Sequence, residues 1–203
     1  MGAFDKQLAA ARKRAALVEH RGNTSTLFKT VYMDPPWNES GGAQKAPSYP
    51  LIKTPDMLPT ITHCGLWSIA PDAHCYMWVT NNFLEDGLRL LSRLGFRYVS
   101  NLCWVKHRVG IGQYFRGQHE LCLFGVRGRG VAVVTEARNI PTVLDPLNTL
   151  GARRADHSKK PTEFYSLIEA RSQGPYLEVF ARNTRQGWQS WGNDAAVQPQ
   201  VTS

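Results

Sequence analysis

The chain has 203 residues, a formal charge of +8 and a pI of about 9.5, with 24 lysines and arginines against 16 aspartates and glutamates. This length suits one sizeable core, and the basic balance favours a polyanionic partner. No apolar stretch approaches the ~20 residues needed to cross a bilayer, and no signal peptide opens the chain, which argues against a membrane or secreted protein and predicts an intracellular, cytoplasmic one.

The first part of the chain predicts helices and strands around a long loop. Residues 1–26 are expected to form a helical extension, with a helix from Asp5 to His20. Leu27–Met33 is rich in β-branched and aromatic residues and predicts a strand that Pro35 must end. After it we expect an irregular loop over Asn38–Pro50, a short helix over Pro55–Ile61 and a strand over His74–Thr80.

The second part continues this alternation. Asn81 or Asn82 is placed to cap a helix that ends at Gly95. The pattern predicts an α/β sandwich, with a core domain over residues 27–194 and a polar tail over residues 195–203. The remaining predicted elements are strands over Tyr98–Val105, Glu120–Val126, Val131–Thr135 and Tyr176–Ala181, and a helix over Lys160–Ser172.

The four cysteines lie apart and form no CxxC pair. Three of them fall in apolar, strand-like runs, where a free cysteine behaves as a small buried hydrophobic residue. Two cysteines directly follow a histidine, but neighbours on a strand point to opposite faces, and the spacing fits no common zinc site. The sequence therefore predicts no metal.

The most informative motif is Asp34-Pro35-Pro36-Trp37, at the end of the first predicted strand. An exocyclic amine such as N6 of adenine is a poor nucleophile because its lone pair is delocalised, so acceptors must be aimed at its N–H groups. Asp34 offers a carboxylate and Pro35 a carbonyl, and both prolines hold these groups rigidly without a competing N–H. Trp37 offers a ring on which a base can stack. The motif predicts a catalytic set for amine methylation; an ordinary Pro-Pro turn is the alternative.

Further blocks follow this motif in a fixed order. They are Ser48-Tyr49-Pro50, Met77–Asn81, Trp104-Val105-Lys106, His119–Leu123, Lys159-Lys160-Pro161 and Trp191-Gly192-Asn193. With Val31–Trp37, the series resembles the MT-A-type adenine N6-methyltransferases, permuted enzymes related to the catalytic subunit of the mRNA adenosine methyltransferase. The resemblance covers roughly Thr30 to Asp194. It implies a Rossmann-like fold, with a mostly parallel central sheet flanked by helices, and S-adenosylmethionine as methyl donor.

The resemblance also implies where the methyl donor binds. Lys160, in a Lys-Pro pair, is expected to hold the donor carboxylate at a helix start, and Asp34 to border the donor. Glu178 either belongs to the methyl-donor site or is a structural residue at a strand edge. The family often has an amide residue directly after the asparagine of the final block, where this chain has Asp194. The residues expected at the ribose and adenine are Phe180, Arg182, Asn193 and Asp194.

Cations, glycines and aromatic residues alternate between Lys106 and Gly117, which suits a loop that contacts phosphates and closes over a flipped base. A solvated glycine-rich loop is the alternative. Other polar and aromatic residues follow the tetrapeptide motif or the next predicted strand, where they are expected to border the base. The predicted substrate contacts are Lys106, Arg108, Tyr114, Arg116, Asn38, Tyr49, Trp78 and Asn81.

These expectations combine into an S-adenosylmethionine-dependent adenine N6-methyltransferase that acts on nucleic acid without a metal. DNA is favoured over RNA because the chain is minimal and has no added RNA-binding module. The alternatives are the same reaction on RNA, a non-catalytic nucleic-acid-binding subunit, and a glutamine methyltransferase, for which Asn-Pro-Pro-Tyr would be expected. The little room for a separate target-recognition domain implies either a short recognition sequence or help from a second subunit, and we expect a homodimer or a heterodimer.

Overall fold

A seven-stranded sheet forms the centre of the computed structural model, which describes residues 26–38, 50–106, 109, 114–130, 140–144 and 160–192. The strand order across the sheet is β5-β3-β4-β2-β1-β6-β7. Among these strands β4 runs antiparallel to both of its neighbours, and every other pairing is parallel. The strands are β1 (Phe28–Met33), β2 (Ile69–Val79), β3 (Arg97–Val105), β4 (His119–Arg127), β5 (Val143–Leu144), β6 (Tyr176–Val179) and β7 (Trp188–Trp191).

Helices cover both faces of this sheet. They are α1 (Thr54–Thr62), α2 (Leu84–Arg93), which follows a 3-10 turn at Asn81–Phe83, and α3 (Glu163–Arg171). Side chains alternate between faces along a strand, so Val31 and Met33 of β1 join the core beneath α1 and α2, whereas Tyr32 joins the core beneath α3. The predicted α/β fold with a mostly parallel sheet is confirmed.

Several boundaries differ from the predicted ones. β2 begins at Ile69, five residues before the predicted start at His74, because Phe28 of β1 pairs with Ile69 despite the intervening Pro71. The short strands β5 and β7 were not predicted. Helix α3 begins at Glu163, so Lys160 lies before the helix rather than in its first turn.

The predicted asparagine cap of α2 is wrong. Asn81 and Asn82 lie in the 3-10 turn, and neither that turn nor α2 has a side-chain cap hydrogen bond. Gly95 follows the helix as expected, with a φ of 86° that favours glycine. No helix among the described residues is long and apolar enough to span a membrane. The predicted N-terminal helix, the strand over Val131–Thr135 and the polar tail lie outside the described residues.

Candidate active site

The carboxyl edge of the sheet gathers the charged residues of the predicted site. Parallel strands β1, β2 and β6 end there, so Asp34, Asn81 and Phe180 all follow strand ends at this edge. Strand β4 runs the other way and therefore begins there, which brings in Glu120. In open α/β sheets this edge is where ligands bind.

Backbone hydrogen bonds fix the Asp34–Trp37 segment. The Trp37 amide donates to the Pro35 carbonyl at 2.9 Å, and the Ile52 amide donates to the Pro36 carbonyl at 2.9 Å. A carbonyl oxygen has two lone pairs, so Pro35 keeps one acceptor position. The geometry therefore leaves room for the predicted role of the Pro35 carbonyl, which stays a prediction.

Trp37 is a packing residue in this structure. Its side chain is buried, its ring stacks on that of Phe83 at 5.3 Å between centroids, and its Nε1 donates to the Trp78 carbonyl at 3.0 Å. The ring thus ties the motif to the end of β2 and to the turn before α2. Stacking of this ring on a target base remains a prediction, and it requires a face that Phe83 does not cover.

A series of charges of alternating sign surrounds Asp34. The Lys160 ammonium donates to both Asp34 carboxylate oxygens, at 2.9 and 2.8 Å, and lies 3.1 Å from Oε2 of Glu120. Glu120 Oε1 accepts a hydrogen bond from Lys106. On the other side of Asp34, the Arg182 guanidinium lies 4.0 Å from Oδ2. The structure therefore brings together the predicted residues Asp34, Lys160, Arg182 and Lys106, and adds Glu120, which was not among the predicted site residues.

The ion pairs outweigh burial at two of these groups. Burial alone would raise the pKa of Glu120, but Lys160 and Lys106 lower it below its ordinary value. Burial alone would lower the pKa of Lys160, but Asp34 and Glu120 raise it. Both side chains are consequently charged at neutral pH, as paired and mostly buried ions.

Trp78 is not at the pocket rim, where the sequence predicted it. Its side chain is only 1% exposed, because β2 directs it into the core beneath α3, where it packs against Phe164. The Lys160 ammonium lies 5.2 Å from the centroid of the Trp78 ring, close enough for a cation–π interaction. Trp78 is therefore a core residue whose ring contacts the Lys160 ammonium.

The other predicted substrate residues are spread around this edge. Tyr114 is 93% exposed, and its neighbour Phe115 is 90% exposed, so both rings are available to a partner. Arg116, Asn38 and Asn81 are also exposed, but no contact with the charged series is seen for them among the described residues. The predicted residues Tyr49, Arg108, Asn193 and Asp194 lie outside the described residues.

The backbone after β6 is strained at a predicted donor residue. Phe180 has a φ of 67°, a left-handed conformation that costs a non-glycine residue on the order of 1–3 kcal/mol and is concentrated at functional sites. A hydrogen bond from the Ala181 amide to the Trp191 carbonyl holds this turn at 2.9 Å. A Cβ on Gly192 would overlap the Ala181 backbone, so the close approach requires glycine.

Two buried polar groups beside this turn have no hydrogen-bond partner among the described residues. They are Oε2 of Glu178 and Oγ of Ser190, which face each other across the pairing of β6 with β7. The Tyr165 hydroxyl satisfies the other Glu178 oxygen at 2.8 Å. Unpaired buried polar atoms are rare and call for a ligand, a water or another part of the chain. With the cations of Lys160 and Arg182, this edge of the sheet therefore has both groups that attract anions and polar atoms that need hydrogen-bond partners.

Glu178 is expected to make the stability of the fold depend on pH. Burial, which has the largest effect, and the charge of Asp34 raise the pKa of Glu178 to about 7 from an ordinary 4.5. Between those two pKa values the native state binds more protons than the unfolded state. The contribution of the Glu178 carboxyl to the free energy of unfolding is therefore present at low pH and is lost as the pH rises. Glu178→Gln, which stays neutral, should gain stability relative to the wild type between about pH 5 and about pH 8, at about 1.4 kcal/mol per pKa unit.

Urea unfolding of both proteins across this range measures the difference. Parallel pH profiles for the wild type and Glu178→Gln would show that the Glu178 carboxyl is not a proton-binding group of the native state in this window.

Among the described residues, no group of three or more histidine, cysteine, aspartate or glutamate side chains is arranged to hold a metal ion. The charged series instead pairs carboxylates with lysine and arginine. Its chemistry is therefore that of hydrogen-bond acceptors and fixed cations at the edge of a sheet.

Comparison with known proteins places the chain in a family. The MT-A70 family model matches residues 28–194. The chain is 30% identical over 181 residues to a putative N(6)-adenosine-methyltransferase MT-A70-like protein of Medicago truncatula, covering 82% of the chain and 26% of the relative. It therefore spans about a quarter of the length of this curated plant relative.

The chain covers a larger share of two further relatives. The chain is 26% identical over 195 residues to the type II methyltransferase M.MunI of a Mycoplasma species, covering 81% of the chain and 76% of the relative. It is 27% identical over 189 residues to the N6-methyladenosine RNA methyltransferase MTA1 of Cryphonectria parasitica, covering 83% of the chain and 52% of the relative.

Proposed function

Because the chain belongs to the MT-A70 family, we propose that it transfers a methyl group from S-adenosylmethionine to N6 of adenine in a nucleic acid. The observation that carries this proposal is the position of Asp34. Its carboxylate follows β1 directly at the carboxyl edge of the sheet, next to the Pro35 carbonyl and between the cations of Lys160 and Arg182. A fixed carboxylate and a fixed carbonyl are the two acceptors that an aromatic amine requires.

The donor, when bound, supplies an electrophilic methyl group on a sulfonium ion. Asp34 accepts one N–H of the amine and the Pro35 carbonyl the other, which directs the nitrogen lone pair away from the ring plane. Lys160 and Arg182 provide cations for the donor carboxylate and the ribose region, with Phe180, Asn193 and Asp194 at the ribose and adenine. The N6 nitrogen would take this methyl in line as its carbon–sulfur bond breaks and S-adenosylhomocysteine leaves. One N6 proton would be lost after the methyl arrives, and neither a covalent intermediate on the protein nor a metal is required.

The substrate is proposed to be DNA, with RNA as the alternative. The formal charge of +8 supports a polyanion, and the exposed Tyr114 and Arg116 support contacts with bases and phosphates near the site. DNA is placed first because the chain matches a larger share of M.MunI, a type II methyltransferase, than of MTA1, whose name specifies RNA. Dimerisation stays a prediction.

The test offers the protein a methyl-labelled donor with single- and double-stranded DNA and RNA, followed by digestion and identification of the labelled nucleoside. We expect N6-methyladenine, with more label in DNA than in RNA. Label on cytosine or on protein would contradict the proposed chemistry, whereas label on RNA adenosine alone would overturn only the preference for DNA.

A non-catalytic binding subunit is a second candidate, because both Asp34 oxygens are bound by Lys160. This candidate predicts nucleic-acid binding without a response to the methyl donor. A shift in the thermal unfolding temperature on adding S-adenosylmethionine, together with transfer of label, would exclude it.

A further inference from the structure

Lys160 already uses its N–H donors on two carboxylates. An ammonium group has three donors, and the three short contacts run to Oδ1 and Oδ2 of Asp34 and to Oε2 of Glu120. All of these distances are between 2.8 and 3.1 Å. Lys160 must therefore give up at least one contact before its ammonium can bind the carboxylate of a ligand.

Asp34 has the corresponding conflict. An ammonium bound to both oxygens withdraws electron density from the carboxylate. Asp34 is therefore a better acceptor for an amine once its contact with Lys160 is broken. Lys160 is mostly buried, with only 16% of its side chain exposed. Separating such an ion from its partner is strongly unfavourable when no other anion takes the partner's place.

Glu120 provides that other anion. It lies on β4, a different strand from the one that positions Asp34, and its side chain is also only 16% exposed. Lys106 binds its Oε1, which leaves Oε2 directed at Lys160. We propose that Glu120 is a positioning residue, which keeps the Lys160 ammonium paired while Asp34 turns to the amine of the target adenine. This inference rests on the proposed function.

Lys106 connects this arrangement to the substrate. It is the first residue after β3 and begins the segment predicted to contact phosphates. A phosphate that binds Lys106 weakens the hold of Lys106 on Glu120, so Glu120 attracts Lys160 more strongly. Substrate binding at the loop and release of Asp34 are thereby coupled through one carboxylate.

The first test measures the ionisation of Lys160 without any substrate. In protein labelled with carbon-13 at the lysine Cε, the Lys160 signal is assigned from Lys160→Arg and titrated in three proteins: wild type, Asp34→Asn, and Asp34→Asn combined with Glu120→Gln. In Asp34→Asn the pKa of Lys160 should stay within about one unit of the wild-type value, because Glu120 remains. In the double variant it should fall by more than about two units, because the buried ammonium has lost both anions.

Two results would overturn the inference: a pKa in Asp34→Asn as low as in the double variant, or no fall in the double variant. Where the double variant does not fold, Glu120→Gln alone decides, since it should lower the pKa of Lys160 by a smaller amount and no change refutes the proposal. These readouts do not depend on methyl transfer. A wild-type protein that transfers no methyl group would therefore count against the proposed function alone.

The second test separates positioning from folding. Glu120→Gln should lower kcat per folded molecule by about 10- to 100-fold without raising KM for the nucleic acid, as expected when a reacting group is misplaced. The matched control is Glu169→Gln, which removes a carboxylate from the ion pair with Arg185 outside the site and should keep the wild-type kcat. A merely structural Glu120 would change the folded fraction but not kcat per folded molecule, and that result would refute the positioning role.

Discussion

Replacing Asp34 by asparagine is expected to lower kcat for methyl transfer by about 100- to 1,000-fold, the loss typical of removing one preorganised polar group from a reacting centre. Asparagine has nearly the same size, but it loses the negative charge, and its amide nitrogen donates hydrogen bonds rather than accepting them from an amine. Donor binding should remain measurable, because the cations of Lys160 and Arg182 are still present.

Single-turnover transfer of a labelled methyl group measures the first effect, and calorimetry with S-adenosylmethionine measures the second. Asp86→Asn is the matched control, since Asp86 lies in the first turn of α2 and outside the charged series. Turnover of Asp34→Asn close to that of the wild type would remove Asp34 from the reaction and with it the central claim of the mechanism.

Replacing Trp37 by alanine is expected to lower the free energy of unfolding by about 3–5 kcal/mol, the range for truncating a buried aromatic residue. The side chain is 6% exposed, stacks on Phe83 and donates to the Trp78 carbonyl, so its removal leaves a cavity and an unpaired carbonyl. Chemical denaturation measures the loss. This is a large part of the 5–15 kcal/mol by which ordinary domains are stable.

Two variants show which role of Trp37 matters. Trp37→Phe keeps an aromatic ring against Phe83 but loses the indole hydrogen bond and part of the buried ring, so it should cost less than Trp37→Ala, about 1–3 kcal/mol. Tyr114→Ala removes a ring that is 93% exposed, so it should weaken nucleic-acid binding and leave stability nearly unchanged. If Trp37→Ala instead keeps full stability and binds nucleic acid poorly, base stacking rather than packing is the role of Trp37.

The sequence predicted those features that depend on neighbouring residues. The β-branched and aromatic residues before Asp34 indicated strand β1, and Pro35 ended it at the expected place. The apolar spacing of α2 and the glycine at its end indicated a helix between two strands. Local chemistry was enough to place the Asp34 motif at the carboxyl edge of an α/β sheet.

Features set by distant parts of the chain were missed. Strand β7 has only four residues, with polar side chains between two tryptophans, and it exists because Tyr176–Val179 offers a free edge to pair with. The same limit applies to the site. Lys160 is 126 residues from Asp34, and no sequence signal shows that Glu120 will share its ammonium. Burial of Trp37 also depends on Phe83, which only the packing of β2 and α2 brings close.

Because β4 runs antiparallel to β3, the connection between these two strands lies at the carboxyl edge of the sheet, where Asp34 also lies. β3 ends and β4 begins at the same edge as Asp34, and the two strands pair directly with each other. A Cβ on Gly117 in this connection would meet no other atom within 4 Å. A larger residue at Gly117 should therefore leave the strand order and both cores intact. Exchanging the connection between β3 and β4 among related chains would accordingly test whether it selects the nucleic acid, while the strands that position Asp34 stay in place.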